Sequence, residues 1–247
     1  MRHAMEQRYP PIRGVVLDAD ETLYTLRCSV GTTYAQVLRR FGFSTDPQAF
    51  DEALPLVWKA FEEEYLATRE GHRTDPARER RQWDVFIKRM LYEVGVRCPS
   101  KTITEALYTE YDRGDLRTLS AGVVEFLSLA RDLGIVTVVA TNNDARVVST
   151  VKELGLDSHI DHILWAGELG WKKPSPHFFH EISSRIGIDG RELLHVGNNL
   201  NLDVCAPQGA GWNALLFDPK DRGPAPKIHG FAELKCLLRE RAPCFPN

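Results

Sequence analysis

Cysteine is sparse and carries no pairing pattern. The five (Cys28, Cys98, Cys205, Cys236, Cys244) are odd in number, scattered, and never in CxxC spacing. That excludes a disulfide framework and a zinc ribbon, and a reducing cytoplasm is the expected setting. No run approaches the ~18 apolar residues of a membrane-crossing helix, and the opening MRHAMEQRYPPIRG lacks the apolar stretch of a signal peptide. Charge of one sign is not in excess either. Lys plus Arg number 31 against 34 Asp plus Glu, a net charge of −3 over 247 residues. Binding to nucleic acid through bulk basic charge is thereby excluded, as is a long acidic tail. Repeats and low-complexity stretches are also missing. What remains, at 43% hydrophobic and 26% charged residues, is the composition of a globular protein. A chain of this length buries a core without staples, as one large domain or as a core with an inserted module.

The pattern of apolar runs separates two regions. Val15-Val16-Leu17 is short and β-branched and ends at once in Asp18-Ala19-Asp20-Glu21-Thr22, which predicts a buried strand opening into a polar loop. Further apolar runs at 135–140, 163–165, 193–196 and 214–217 alternate with helix-like segments at 146–154 and 178–186. Such βα alternation predicts a parallel sheet covered on both faces. Gly134, Gly155 and Gly187 stand where left-handed helix C-caps are expected. Between about Cys28 and Asp115 the chain is instead amphipathic and charge-rich, with helical stretches at 51–65, 78–94 and 102–111 and no convincing strand. Asp46-Pro47 and Asp75-Pro76 read as helix starts, aspartate capping and proline in the first turn. The expected architecture is α/β: a Rossmann-like parallel-sheet core (1–26 and 117–247) with a helical cap inserted at 27–116.

Ligands of open α/β sheets sit at the carboxyl ends of the strands. There this sequence places the Asp18–Asp20 pair, then Thr141-Asn142-Asn143-Asp144, then Gly170-Trp171-Lys172-Lys173-Pro174, then Gly197-Asn198-Asn199-Leu200-Asn201-Leu202-Asp203. Carboxylates, a hydroxyl and an amine are thus expected to converge on one crevice. These four segments, DADET, ATNN, KKP and GNNLNLD, resemble in order and spacing the motifs of the haloacid dehalogenase-like hydrolase superfamily, from about Gly14 to Phe217. The inserted region is similar to that family's C1-type helical cap in position and helical character.

The resemblance implies magnesium-dependent hydrolysis of a small phosphorylated metabolite. Asp18 would be the nucleophile, forming an aspartyl-phosphate, with Asp20 as general acid and base. Thr141 and Asn142 would hold phosphoryl oxygens and Lys173 would neutralise charge. Mg2+, a hard oxygen-seeking cation, would be held by Asp18, the main-chain carbonyl of Asp20, Asn198 and Asp203. The chain departs from the family at Gly197-Asn198, where active members usually have Gly-Asp. The amide keeps an oxygen donor but gives up a negative charge beside the cation.

Other residues have plainer expectations. Lys173, directly before proline, matches the motif better than Lys172. Thr22 is expected to tie down its loop by hydrogen bonding, Glu21 to be a loop residue, and His195 to be a histidine of the core. The basic run 78–81 is expected to be a solvated helix face, and Trp58, Phe61 and Tyr65, at helical spacing, the helical region's own core. Two other functions are compatible with the scaffold. One is a non-catalytic protein binding a phosphorylated ligand or a protein partner, suggested by Asn198. The other is a 2-haloacid dehalogenase using Asp18 on carbon, against which Asp20 speaks.

Overall fold

A computed structural model describes residues 11–67, 71–223 and 226–241. In chain order the elements are β1 (Gly14–Leu17), β2 (Tyr24–Leu26), α1 (Val30–Arg39), α2 (Pro47–Ala67), α3 (Pro76–Glu93), α4 (Lys101–Glu110) and β3 (Arg117–Leu119). There follow α5 (Val123–Asp132), β4 (Val136–Thr141), α6 (Arg146–Glu153), β5 (His162–Trp165), α7 (Ala166–Leu169) and α8 (Pro176–Ile186). The chain continues through β6 (Leu193–Gly197), a π-helical turn (Leu200–Cys205), α9 (Ala206–Gly209), β7 (Asn213–Phe217), β8 (Lys227–Ile228) and α10 (Phe231–Arg241).

Six strands form one sheet in the order β5-β4-β1-β6-β7-β8, each pair parallel. Val15, Val16 and Leu17 are wholly buried, as a central strand covered on both faces requires. One face packs Leu17, Val139 and Val196 under Phe126, Leu127 and Phe231. The other packs Val16, Val138 and Leu193 under Phe178, Phe179 and Ile182. The register sets Leu17 opposite Val139 on one side and Val196 on the other. Asp18, Thr141 and Gly197 therefore finish at one edge, where the chain leaves β1 in opposite directions and a crevice opens. The glycines at 134, 155 and 187 are all left-handed, φ +65°, +71° and +68°.

Helices α1 to α4 surround a core of their own, including Tyr34, Leu38, Phe50, Met90, Leu91 and Leu107. Asp46 accepts from the Gln48 amide at 3.0 Å and Asp75 from the Arg78 amide at 2.8 Å, so both Asp-Pro pairs start helices. Phe61 packs on this core, while Trp58 stays 39% exposed within an aromatic cluster with Trp83 and Phe86. Tyr65 departs from the expectation: its ring faces Arg78 and Lys172 at the boundary with the sheet. A two-stranded antiparallel ribbon of β2 and β3, Tyr24 opposite Leu119 and Leu26 opposite Arg117, carries the chain into and out of the helical region. No helix among the described residues is long and apolar enough to cross a membrane.

Candidate active site

Lys173 stands at the centre of the crevice. Its ammonium donates to Asp18 Oδ1 at 2.6 Å and to Asp203 Oδ1 at 2.7 Å, with the side chain almost wholly buried. Lys172 points elsewhere, over the Tyr65 ring, so the lysine next to proline is the one that reaches the carboxylates. Burial, with Asp203 and Asp20 nearby, pushes the Asp18 carboxyl up to about 7 against the pull of Lys173. Burial opposes the charge on Lys173 too, but the two carboxylates outweigh it and hold the ammonium above the ordinary lysine range.

Asp203 comes from the π-helical turn. Its Oδ1 is shared by Lys173 and His195 Nε2 (3.0 Å), and its Oδ2 accepts from the Asn199 amide (3.0 Å). Burial alone would raise this carboxyl, yet Lys173 and His195 hold it well below the usual range. Asp203, expected among the metal ligands, thus meets Lys173 and His195 through Oδ1 and the Asn199 amide through Oδ2. Gly197 makes the approach possible, since a Cβ there would lie 2.4 Å from Asp203 Cγ. His195 is a core histidine as expected, fully buried against Phe179 and Trp212. Burial lowers its pKa, and an ionised Asp203 has no proton to give. Nε2 therefore carries the hydrogen and donates, which leaves Nδ1 without a partner, as the structure shows.

The segment after β4 braces its neighbours. Thr141 is buried, and its hydroxyl accepts from the Asn143 amide at 3.1 Å. Asn142, expected at phosphoryl oxygens, has both ends of its amide on the Lys173 backbone: Nδ2 donates to the carbonyl at 2.9 Å and Oδ1 accepts from N–H at 2.7 Å. In this arrangement it braces the lysine segment. Asn143, unremarked in the sequence, donates from Nδ2 to Asp20 Oδ2 at 3.0 Å. Burial raises the Asp20 carboxyl, with Arg117 and then Asn143 opposing. The Thr22 hydroxyl is buried without a partner, so it does not tie the loop; its carbonyl does, accepting from Ser120 Oγ at 2.6 Å.

The helical region meets this segment directly. Arg146 donates to both Asp144 oxygens (2.9 and 3.1 Å) and to the Tyr108 carbonyl (2.8 Å), while the Tyr108 hydroxyl donates to Asp144 Oδ2 (3.0 Å). Asn198 is exposed at the end of β6. No group of three or more His, Cys, Asp or Glu among the described residues is arranged to hold a metal ion. Lys173 takes one carboxylate oxygen of Asp18, and the Asp203 and Asp20 carboxyls stand near enough to raise its pKa.

The model of one family, haloacid dehalogenase-like hydrolase, matches residues 12–211. Haloacid dehalogenase-like hydrolase domain-containing protein 3 of Homo sapiens is 27% identical over 237 residues, 92% of each chain. Among solved structures, the magnesium-bound YfnB of Bacillus subtilis superposes with a TM-score of 0.71 at 18% identity, covering 92% of this chain and 99% of its own. The L-2-haloacid dehalogenase of Xanthobacter autotrophicus does so with a TM-score of 0.68 at 18% identity, covering 92% and 98%.

Proposed function

Because the chain belongs to the haloacid dehalogenase-like hydrolase family, we propose that it is a magnesium-dependent phosphatase acting on a small phosphate monoester. The observation that carries this is the bridging of Asp18 and Asp203 by the buried Lys173 ammonium, with Asp20 two residues from Asp18 and steadied by Asn143. A nucleophile held beside a cation and a second carboxyl held apart from it are what phosphoryl transfer through a covalent intermediate requires.

The donor set suits a hard divalent cation of modest affinity. Asp18, the Asp20 carbonyl, the Asn198 amide oxygen and Asp203 would hold it, and magnesium is commonly held by one or two carboxylates plus substrate phosphate and water. When bound it would supply positive charge to the transferring phosphoryl oxygens. The protein's own groups do the rest. An Asp18 carboxylate oxygen bonds to phosphorus as the ester oxygen departs with its electron pair and takes the proton of Asp20. Asp20, now ionised, takes a proton from water, whose oxygen attacks phosphorus and releases inorganic phosphate and the Asp18 carboxylate. Lys173 neutralises charge throughout, and the Thr141 hydroxyl faces the phosphoryl oxygens. The helical region acts as a cap that keeps bulk water out.

The test is phosphate release from an aryl phosphate across a magnesium titration. Native release that depends on magnesium and falls at least ~1,000-fold in Asp18→Asn is expected, as for loss of a nucleophile. Asn198→Asp should lower the magnesium needed by about 10–100-fold, the scale of changes around metal ligands. Silence of both the native chain and Asn198→Asp would sink the phosphatase. Asn198 favours a second function, retention of a phosphorylated ligand without turnover. That function predicts a silent native chain and an active Asn198→Asp.

A further inference from the structure

A second polar contact joins the helical region to the segment that carries Lys173. Residues 72–74, just before α3, run antiparallel to residues 170–172, with Arg73 bridged to Trp171. The Lys172 amide donates to the His72 carbonyl at 2.9 Å, and the Thr74 amide to the Gly170 carbonyl at 2.9 Å. One residue beyond this strap is Lys173, whose backbone is gripped by Asn142 and whose ammonium lies between Asp18 and Asp203. Movement of the strap is therefore movement of the lysine's anchor.

Side chains close the same contact. Lys172 lays its ammonium over the Tyr65 ring, 4.4 Å from the centroid. Near it, Glu79 of α3 is 2% exposed, and its carboxylate meets the Gly167 backbone but no side-chain donor. The bare Cα of Gly167 admits that carboxylate, since a Cβ there would lie 2.3 Å from Oε2. Burial raises Glu79, to about 8, and lowers Lys172, each opposed by the other's charge. The charged groups facing Glu79 are Lys172, Asp144 across the boundary and Asp75 on its own helix cap. Lys172 is the cation among them. A carboxyl buried to this degree with so few hydrogen bonds is costly, and removing the cation that faces it is costlier. The expectation that 78–81 is a solvated face therefore fails at Arg78 and Glu79, both of which are buried.

We propose that Glu79 and Lys172 are positioning residues: Lys172 reaches across the boundary to the Tyr65 ring and Glu79 reaches across it to Gly167, so the helical region is held seated on the sheet, and that seating fixes the backbone bearing Lys173. The inference takes the role of Lys173 from the phosphatase function proposed above, and its test separates the two. Amide hydrogen exchange at Thr74 and Lys172 would be followed by NMR in the native chain, Glu79→Gln, Lys172→Met and Lys172→Arg, with Val16 and Val138 in the sheet as internal references. Glu79→Gln and Lys172→Met should accelerate exchange at Thr74 and Lys172 together by about tenfold, leaving Val16 and Val138 unmoved, while Lys172→Arg stays near native. In turnover of an aryl phosphate, the same two variants should lower kcat about tenfold with KM changed less than about twofold, and Lys172→Arg should recover kcat. Exchange at the strap that does not move, or acceleration spread equally over Val16 and Val138, would overturn the proposal. A native chain that releases no phosphate would overturn the phosphatase function, and the exchange data would still decide this one.

Discussion

Asn143 touches three groups of the site at once. Its amide hydrogen goes to Thr141 Oγ1, its side-chain nitrogen to Asp20 Oδ2, and its side-chain oxygen accepts from the Asp144 amide. The side chain thus links the end of β4 to the nucleophile loop, and it fixes which oxygen of Asp20 remains to face a leaving group. Removal leaves Asp20 in place but free to rotate, so the loss belongs to the chemical step. Asn143→Ala should lower kcat about 10–100-fold while KM for an aryl phosphate stays within about threefold, in line with losses around orienting partners of a reacting group. Steady-state kinetics at saturating magnesium decides it, and a kcat within twofold of native would show that Asp20 needs no such support.

At the scale of elements, α4 is tied to α1 by a buried carboxylate. Arg40, the C-cap residue of α1, donates from both terminal nitrogens to Glu110 at 2.8 and 2.9 Å, and Arg113 adds a third bond at 2.6 Å. Burial alone would raise Glu110, but its bonds and charge contacts with Arg40 and Arg113 prevail and hold it below the usual glutamate value. A carboxyl depressed in the folded state stabilises it above the unfolded pKa of ~4.3, and that contribution is lost as pH falls through the folded pKa. Glu110→Gln should accordingly cost about 1–2 kcal/mol at pH 7, discounted because Arg40 is half exposed, and progressively less below pH ~4. Denaturant unfolding of both proteins at pH 7 and pH 3 measures it; an equal difference at the two pH values would remove the ion pair from the account.

The same scale shows what sequence patterning can carry. The five strands from β1 to β7 that form the sheet's body were legible because burial on both faces demands unbroken apolar runs. The helices α2, α3, α6 and α8 were legible from amphipathic spacing and from their Asp-Pro or glycine boundaries. β2 and β3 were not, because three residues each (Tyr-Thr-Leu and Arg-Thr-Leu) show no period and exist only by pairing across ninety residues of chain. α1 was missed because Val30, Thr32 and Thr33 are poor helix formers. It forms because Ser29 caps it and Tyr34, Val37 and Leu38 find Phe50. In the site, strand order alone brought the segments bearing Asp18, Lys173 and Asp203 together, and resemblance to the family's motifs picked out those residues within them. The duties of Asn142, Asn143 and His195 depend on which atom faces which neighbour, and no spacing encodes that.

For the molecule as a whole, the ribbon of β2 and β3 poses a question of autonomy. The sheet has apolar layers on both faces and the helical region has a third, and none borrows large side chains from another. The boundary is instead polar: the Arg146–Asp144–Tyr108 bonds, the strap and Lys172. Bonds formed only where two separately packed units meet add little to the stability of either unit by itself. Leu26 and Arg117 are directly opposed in the ribbon, so the chain between them can be replaced by a two-residue Asn-Gly turn, which matches the twist of antiparallel strands. The shortened chain should fold as a parallel sheet with one cooperative thermal transition, because every strand pair and both covering layers remain. Its melting point should lie within about 10 °C of the native sheet's own transition, the shift that ~1–2 kcal/mol produces in a domain of this size. Circular dichroism and amide exchange at Val16 and Val138 would read the outcome. A shortened chain with strand content but no cooperative melt would mean that the helical region is part of the sheet's stability, and that the polar boundary contributes far more than bonds between two separately packed units ordinarily do.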